Sequence, residues 1–425
     1  MVSNKQMILN GLLKHKGIGP EGSKSLHEEQ LKQLNDLLKD EAVSIVTKGT
    51  MLVALLMLAP NEDEKIWLQQ FKIDYKKLIP EKLFWLVEGK SSNDFEKLIL
   101  NVIQKENLNE SESKLAMNLF FSGSSTAVRQ AAFLEAQRLK RETFEENLAF
   151  YYVMAQKVKR VKYEGEFLID LADSYDGCNR INPYTLFSAI LLASINIPVY
   201  CHGIDKVAPK EGTTIHQILR AAGKTPLKSY DEISNDLKKY NFAYIDQQLY
   251  APEIYNLKLM RKEMVKRPFL ATFEKLLKPV DCTGKTLVVT SYTHKAYRNQ
   301  VTELIEKSNL FDEALNIKGN EATTQPALNK ETGGIYYHNH THQEFNYTPI
   351  EISNEKESVL SLDEVIKNGE NALKGDQSIF AYTQITNQVM MIVSCFFPDK
   401  IDELQQKMMS SIESGKAFSL WDELT

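Results

Sequence analysis

The chain has 425 residues, of which 43% are apolar and 25% are charged, and its formal net charge at pH 7 is -5. This composition is that of an ordinary soluble globular protein, long enough for a large core in two or three domains. The net acidity argues against a globally basic nucleic-acid binder, although it leaves local basic patches open.

Cysteine usage and the first residues predict a cytoplasmic protein. The four cysteines have no CxxC spacing and no disulfide-dense context, so we expect reduced thiols at Cys178, Cys201, Cys282 and Cys395. The opening MVSNKQMILNGLLKHKG lacks the charged-then-apolar pattern of a signal peptide. The apolar runs 51–58 and 186–199 are too short or too interrupted to cross a membrane, and we interpret both as core.

Residues 1–162 predict an all-helical domain, because apolar residues recur there at spacings of three and four. Segments 26–66 and 108–148 also match at a constant offset of 82 residues (108 − 26). Identical pairs are Leu26/Leu108, Glu28/Glu110, Leu37/Leu119, Leu52/Leu134, Ala54/Ala136 and Glu64/Glu146. Leu38/Phe120, Met51/Phe133 and Met57/Leu139 keep the apolar pattern. Two interpretations stay open: an internal duplication, and a chance match between amphipathic helix pairs.

Residues 163–425 predict an α/β domain with C-terminal helices. Short apolar runs at 197–201, 287–290 and 314–318 are bounded by turn residues and predict strands, and longer helical segments lie between them. Loops are expected at 203–214 and 319–335, and amphipathic helix at 385–424.

The densest group of candidate site residues is 173–180, followed by an apolar run and then by 198–203. This order predicts a loop, a buried helix, a short strand and a second loop. In α/β proteins such loops place ligands beside helix N-termini and strand ends. We therefore expect the functional site here.

Four segments in order, 17–26, 175–203, 261–279 and 412–417, resemble the anthranilate phosphoribosyltransferase family. This family is part of the nucleoside phosphorylase and class IV phosphoribosyltransferase group, also called glycosyltransferase family 3. Within it the chain is most similar to the YbiB-type branch. The resemblance covers most of the chain and leaves roughly one helical block in excess, of the size of the repeat.

The resemblance implies a small helical domain hinged on a larger α/β domain with a central sheet, in a homodimer formed through the helical domains. It also implies that phosphoribosyl pyrophosphate binds with Mg²⁺ in the α/β domain and that an aromatic acceptor binds nearer the hinge. The positions matching the phosphate and ribose site are Asp176, Gly177, Asn179, Thr185, His202, Gly203, Lys210 and Gly212. Arg261 matches the acceptor-binding arginine, and Asn320 and Glu321 match the metal-binding pair.

Several positions depart from the family pattern. The glycines of its GTGGD loop are replaced, the lysine of KHGN becomes a thiol, two serines are lost, and one metal-binding aspartate becomes an amide: Ala172, Ser174, Tyr175, Cys201, Ala208, Pro209 and Asn320. Glycine there lets backbone amides approach phosphate. We therefore expect Tyr175 and Asp173 to hinder pyrophosphate by bulk and by charge, and Mg²⁺ to be bound only if the diphosphate is.

Each retained residue also has a structural interpretation. Asp176-Gly177 is compatible with a simple turn, and Asn179 and Thr185 with helix caps. His202 is compatible with a packed imidazole and Arg261 with a solvent-facing side chain. The functional interpretation depends on the cluster, not on any single member.

Two functions from different classes remain open. The first is a pentosyltransferase-fold enzyme that acts on a phosphoribosyl or nucleoside small molecule other than anthranilate. The second is a protein that binds single-stranded nucleic acid on the same scaffold through two clusters of cations, the second of which has Phe269 and Phe273 nearby. The resemblance to the YbiB-type branch implies nucleic-acid binding. The clusters are Arg138, Lys140, Arg141, Lys157, Lys159, Arg160 and Lys162, and Lys258, Arg261, Lys262, Lys266, Arg267, Lys275 and Lys278.

One further pattern suggests metal binding. His338, His340, His342 and Glu344 alternate, so on one extended strand they would share a face. A solvated polar strand explains the pattern equally well.

Overall fold

The computed structural model describes residues 3–17, 21–350 and 357–424, which form two compact units. The first unit contains residues 1–156 and 256–271, and the second contains 157–255 and 272–425. The sequence had suggested two continuous ranges, 1–162 and 163–425. Segment 256–271 departs from this division because its bonding partners are helical: Thr47 Oγ1 donates to the Glu263 carbonyl, and Lys266 Nζ donates to the Leu13 carbonyl.

The first unit is a helical bundle. Its elements are α1 (Asn4–Lys16), α2 (Glu28–Lys39), α3 (Ile45–Met57), α4 (Glu62–Leu78), α5 (Phe84–Glu88), α6 (Asp94–Ile103), α7 (Glu110–Phe120), α8 (Ala127–Lys140), α9 (Phe144–Gln156) and, from the returning segment, α15 (Lys258–Met264). Nearly every residue of α3 and most residues of α8 are buried, as expected for helices that other helices surround.

The second unit is built on a mixed sheet. Its strands are β1 (Val161–Tyr163), β2 (Phe167–Leu171), β3 (Val199–Gly203), β4 (Phe242–Asp246), β5 (Val280–Cys282), β6 (Lys285–Tyr292), β7 (Glu313–Lys318), β8 (Thr332–His338) and β9 (Thr341–Tyr347). The seven-stranded order is β4-β3-β2-β6-β7-β8-β9, in which the first five strands are parallel and β8 and β9 are antiparallel. Strands β1 and β5 form a separate parallel pair.

Helices cover this sheet. They are α10 (Thr185–Ser194), α11 (Ile215–Ala221), α12 (Tyr230–Tyr240), α13 (Gln247–Tyr250), α14 (Pro252–Tyr255), α17 (Lys295–Ser308), α18 (Leu362–Leu373), α19 (Phe380–Phe396), α20 (Ile401–Glu413) and α21 (Lys416–Glu423); α16 (Leu270–Phe273) leads back from the returning segment. The fully buried α10 packs with α19 and α21, and the Phe187 and Trp421 rings lie 5.2 Å apart. Burial of these apolar side chains is the main stabilising contribution to the unit.

The predicted α/β class is confirmed, with strand bounds shifted by a few residues: 197–201 is Val199–Gly203, 287–290 is Lys285–Tyr292, and 314–318 is Glu313–Lys318. The loop expected at 319–335 ends earlier, since β8 begins at Thr332. A bilayer-crossing helix is absent from the described ranges, because none of their helices has the necessary length and hydropathy.

Candidate functional site

Two loops meet at the carboxyl ends of β2 and β3. The Cys178 amide donates to the Thr213 carbonyl at 2.9 Å, and the Thr213 amide donates to the Cys178 carbonyl at 2.8 Å. Gly177 has a φ of +75°, and a Cβ there would lie 2.4 Å from the Gly212 carbonyl carbon. Glycine is therefore required by the approach of the two backbones as well as by the left-handed conformation.

An internal carboxylate lies between these loops. Glu321 Oε2 accepts hydrogen bonds from the backbone amides of Asn179 and Arg180 at 3.0 and 2.6 Å. Its Oε1 lies 3.1 Å from Lys210 Nζ, which is 3.9 Å from Asp176 Oδ1. Glu321 comes from the 3-10 turn after β7, Asn320–Ala322, and has a φ of 51°. Backbone amides and a lysine are the donors that typically bind phosphate, and here they bind a side chain of the same chain.

The pKa of Glu321 is consistent with an ionised carboxylate that accepts these hydrogen bonds. Burial acts to raise the pKa of the carboxyl group, but the Arg180 amide and the Lys210 ammonium outweigh it and hold the pKa below its usual value. The Glu321 side chain is 10% exposed and that of Lys210 is 17% exposed. The lowered pKa favours the ionised carboxylate at neutral pH, in a side chain that is largely but not completely buried.

The residues present do not fit Mg²⁺ at the expected pair. Both Glu321 oxygens face hydrogen-bond donors, and Asn320, on the exposed side of the turn, contributes an amide in place of a carboxylate. Within the described ranges, no group of three or more His, Cys, Asp and Glu side chains is arranged to hold a metal. Magnesium prefers several oxygen ligands with little competition from nearby cations.

Beneath the loops lies a buried polar chain. The Tyr175 hydroxyl bonds the Tyr250 hydroxyl at 3.0 Å, which lies 3.1 Å from His202 Nδ1. His202 Nε2 is 3.3 Å from Asp170 Oδ1, without the angle of a hydrogen bond, and the Tyr200 hydroxyl donates to Asp170 Oδ2 at 2.6 Å. All five side chains are buried.

Tyr175 therefore does not project from its loop, as an obstruction to pyrophosphate would. Its ring packs with Ile204 and Val207 under the loop and is 3% exposed. The structure thus corrects the expected position of the side chain that fills the loop: Glu321 engages the amides, while Tyr175 fills the space below. The Tyr175 ring is stabilised by apolar neighbours, whereas the Glu321 carboxylate is stabilised only where several hydrogen-bond donors converge.

The three phenols of this buried chain are held neutral. Burial raises the pKa values of Tyr175, Tyr200 and Tyr250 well above those of ordinary phenols. Burial likewise raises the pKa of the Cys201 thiol, at the position of the family's lysine. The phenols can share hydrogen bonds, but no cation stands at residue 201.

Asp173 and Thr185 belong to a second buried network. Asp173 Oδ1 accepts a hydrogen bond from the Thr324 amide at 2.8 Å, and burial raises the pKa of its carboxyl group. The Gln388 side-chain amide donates to Thr324 Oγ1 at 2.8 Å and lies 3.4 Å from Thr185 Oγ1. Thr185, the first residue of α10, is fully buried, and its contact with Gln388 links α10 to the C-terminal helix α19.

Most of the expected site residues come together. Asp176, Gly177, Asn179, Lys210, Gly212 and Glu321 surround the meeting point of the loops, while His202 lies below them and Gly203 ends β3. Arg261 belongs to the helical unit, on α15, where its side chain is 1% exposed. This burial excludes the solvent-facing interpretation of Arg261.

Sequence reasoning missed Asp170, Tyr200 and Tyr250. Asp170 was a detectable signal, because it is a lone carboxylate within the apolar strand Phe167–Leu171. A buried aspartate requires partners. Tyr250 gave no local signal, since it follows β4 and contacts His202 only through the fold.

The alternating histidines do not share one strand face. Asn339 and His340 have φ values of 49° and 58° and form the turn between β8 and β9, so His338 and His342 lie on different strands. His338 stacks on Tyr336, and Glu344 pairs with Arg298. The alternating residues span a hairpin turn and its two strands, which the sequence periodicity alone does not reveal.

The basic clusters are also largely structural. Lys140 Nζ lies 2.7 Å from Glu146 Oε2, and Lys275 Nζ donates to the Ser291 carbonyl at 2.9 Å. Phe269 stacks on Phe150 with ring centroids 5.0 Å apart.

Segment 17–26, one of the four segments that resemble the family, includes residues 18–20, which lie outside the described residues.

Comparisons with known proteins agree with this architecture. Residues 96–158 match the model of a glycosyl transferase family helical bundle domain. An uncharacterized protein of Aquifex aeolicus is 31% identical over 232 residues, which are 54% of this chain and 69% of the relative. An anthranilate phosphoribosyltransferase of Endomicrobium trichonymphae is 23% identical over 76% of this chain and 96% of its own.

A solved structure has the same fold. Anthranilate phosphoribosyltransferase from Saccharomyces cerevisiae, in complex with PRPP and Mg, superposes with a TM-score of 0.63 at 14% identity. The match covers 77% of this chain and 96% of the yeast chain. Together with the helical bundle and the mixed sheet, these likenesses show that the chain belongs to the anthranilate phosphoribosyltransferase-like family.

Proposed function

We propose that this chain is a phosphoribosyltransferase-fold protein whose diphosphate site is closed by its own Glu321, and that it does not transfer a phosphoribosyl group to anthranilate. The observation that carries the proposal is the set of bonds from Asn179, Arg180 and Lys210 to the Glu321 carboxylate. An incoming diphosphate would have to displace this anion.

Charge supports the proposal. Asp176 Oδ1 already lies 3.9 Å from Lys210 Nζ, so one lysine faces two carboxylates. Ribosyl transfer depends on cations and amides that neutralise the leaving diphosphate, because the protein supplies little covalent help. With residue 201 a neutral thiol, the second cation expected of the family is missing from this position.

The buried chain below the loops supports it as well. The Tyr175 and Tyr250 hydroxyls bond each other, and Tyr250 contacts His202, so these groups are engaged within the fold. A ligand reaching His202 would have to open a buried cluster with Ile204 and Val207. Displacing bonded polar groups without replacing their bonds is costly.

The test is binding of phosphoribosyl pyrophosphate with Mg²⁺ to the full chain, followed by thermal unfolding, with an anthranilate transfer assay in parallel. A ligand at 100 times its Kd stabilises a protein by about 2.7 kcal/mol, which shifts the melting temperature by several degrees. We expect no shift at millimolar ligand and no consumption of anthranilate. A saturable shift with turnover would overturn the proposal.

Mg²⁺ alone and pyrophosphate alone are the matched controls. The variant Asn320→Ala removes the other member of the expected metal pair and leaves Glu321 in place. If the pair bound metal for catalysis, this variant would lower any ligand-induced shift; we expect it to behave as the parent protein does.

Nucleic-acid binding is not advanced as a second function. The cations that suggested it include Lys140, Lys266 and Lys275, which are bonded within the fold, and Phe269 is stacked on Phe150. A salt-sensitive nucleic-acid interface needs cations that can contact the phosphates and displace the counterions condensed on them. No observation on the described residues specifically favours that role.

A further inference from the structure

The helical unit contains the same bundle twice. Helices α2, α3 and α4 begin at residues 28, 45 and 62, and α7, α8 and α9 begin at 110, 127 and 144, so all three offsets are 82. Helix pairs repeat too: α2 packs on α4 as α7 packs on α9, and α1 packs on α2 and α3 as α6 packs on α7 and α8. Chance matches between amphipathic helices would not align three starts and their packing partners.

A buried glutamate repeats in the same place. Glu64 Oε1 accepts from the Leu26 amide at 2.9 Å, and Glu146 Oε1 accepts from the Leu108 amide at 2.9 Å. Each glutamate also caps its own helix, through Asn61 in the first copy and through Thr143 in the second. These two bonding patterns decide the question left open by the sparse sequence identities in favour of duplication.

The two copies meet through equivalent helices. Helix α3 of the first copy packs against α8 of the second, and a Cβ on Gly49 would lie 2.6 Å from Val128 Cγ2. The equivalents of Gly49 and Val128 at the offset of 82 are Ala131 and Val46, both small or β-branched and both buried. Contact of one surface with its own copy is the isologous arrangement of a two-fold dimer.

Only the second copy is followed by an α/β unit, and only residues 96–158 match the family's helical-bundle model. The yeast structure is covered over 96% of its length by 77% of this chain. The remaining 23% of 425 residues is about 98, close to the 82-residue repeat. The chain therefore carries about one bundle more than this relative.

We infer that the first bundle occupies, within the chain, the self-complementary α8 face that would otherwise pair with a second copy, so that the chain is a monomer with a built-in partner. Residues Ala131 to Gln137 of α8, which span about two turns and so every side of the helix, are all buried. This part of α8 therefore leaves no surface open to a second chain. The first copy also holds the returning segment, since Ser44 Oγ donates to Glu263 Oε2 at 2.8 Å. This assignment replaces the homodimer implied by the family resemblance and does not depend on the state of the Glu321 site.

The experiment measures the mass of the full chain and the connectivity of its helices. Light scattering over a wide concentration range should give the monomer mass of 48.6 kDa. A species of about 97 kDa (2 × 48.6) would overturn the inference.

The double variant Gly49→Cys with Val128→Cys tests whether α3 and α8 come from one chain. We expect an intrachain disulfide, seen as a monomer on a non-reducing gel and as one linked pair of peptides by mass spectrometry. Bands of dimer size would show that the helices are exchanged between chains and would contradict the inference. Each single cysteine variant is the control for the native thiols, and if the double variant fails to fold, the mass of the parent protein still decides.

Discussion

Three carboxylates in this molecule have the same donors and different surroundings. Each accepts hydrogen bonds from two backbone amides and faces one lysine. In the helical unit, Glu64 contacts the Leu26 and Asn61 amides and Lys16, and Glu146 contacts the Leu108 and Thr143 amides and Lys140. In the α/β unit, Glu321 contacts the Asn179 and Arg180 amides and Lys210. The first two carboxylates are fully buried, whereas Glu321 is 10% exposed at a loop. The same kinds of contact thus form a fixed core element in one region and, under the proposed function, hold a displaceable occupant of an anion site in the other.

The two buried copies also differ from each other. Lys16 reaches Glu64 from α1, but Lys140 reaches Glu146 from the end of α8, so the lysines are not equivalent at the offset of 82. The amide bonds are equivalent. We conclude that the need of two backbone amides for an acceptor is the shared reason for the glutamate in both copies. The lysine that neutralises it is supplied by a different helix in each copy.

The largest expected effect is the loss of a buried glutamate. Glu146→Ala leaves Lys140 buried without its carboxylate and removes a helix cap, so we expect the free energy of unfolding to fall by about 3–5 kcal/mol. Glu64→Ala should cost as much in the other copy. Chemical denaturation checks both; a loss below about 1 kcal/mol in either variant would break the equivalence of the two bundles.

The next effect concerns the contact between the site loops. Gly177→Ala places a Cβ 2.4 Å from the Gly212 backbone at a φ of +75°, and we expect a loss of about 2–4 kcal/mol. Gly223→Ala is the matched control, because φ is +77° there but no atom lies within 4 Å. It should cost only about 1–2 kcal/mol. Equal costs would show that the loops do not need their close approach.

Glu321→Ala should reduce stability by only about 1 kcal/mol, since Glu321 and its partner Lys210 are both partly exposed. Its dependence on pH sharpens the comparison. The folded-state pKa is lowered, so the contribution of Glu321 is present above its unfolded pKa and is lost as pH falls through the folded one. The difference between parent and variant should therefore be constant near neutral pH and shrink below about pH 4. A difference that grew on acidification would contradict the ion-pair account.

Removal of a single hydroxyl from the buried chain should have an effect about as small as that of Glu321→Ala. Tyr175→Phe keeps the ring among Ile204 and Val207 and removes one neutral hydrogen bond to Tyr250, so about 1 kcal/mol should be lost. Tyr175→Ala should lose more, about 3–5 kcal/mol, because it leaves a cavity. Thermal unfolding of the pair separates the two contributions.

Local patterns in the sequence predicted much of the fold. Short apolar runs between turn residues located β3, β6 and β7, and the spacing of apolar residues located the helical unit. Segment 256–271 could not be assigned in this way, because its place depends on hydrogen bonds such as that from Thr47 to Glu263, 216 residues apart.

The candidate site was predictable as a cluster and not as a mechanism. Asp176, Gly177, Lys210 and Glu321 were selected from the sequence, and the structure brings them together. That Glu321 would bind the Asn179 and Arg180 amides depends on the left-handed backbone at 321, which non-glycine residues rarely adopt. The replacement of glycine by Tyr175 predicted an obstructed loop, but the structure places the Tyr175 ring inward, against Ile204 and Val207.

The most direct measurement is calorimetric titration of inorganic pyrophosphate into the parent protein and into Glu321→Ala, with and without Mg²⁺. If Glu321 is the internal occupant of the anion site, the parent should give no binding heat and the variant should bind, because two amides and Lys210 are released. Binding by the parent protein that requires Mg²⁺ and is abolished in the variant would instead make Glu321 a metal ligand and contradict the account.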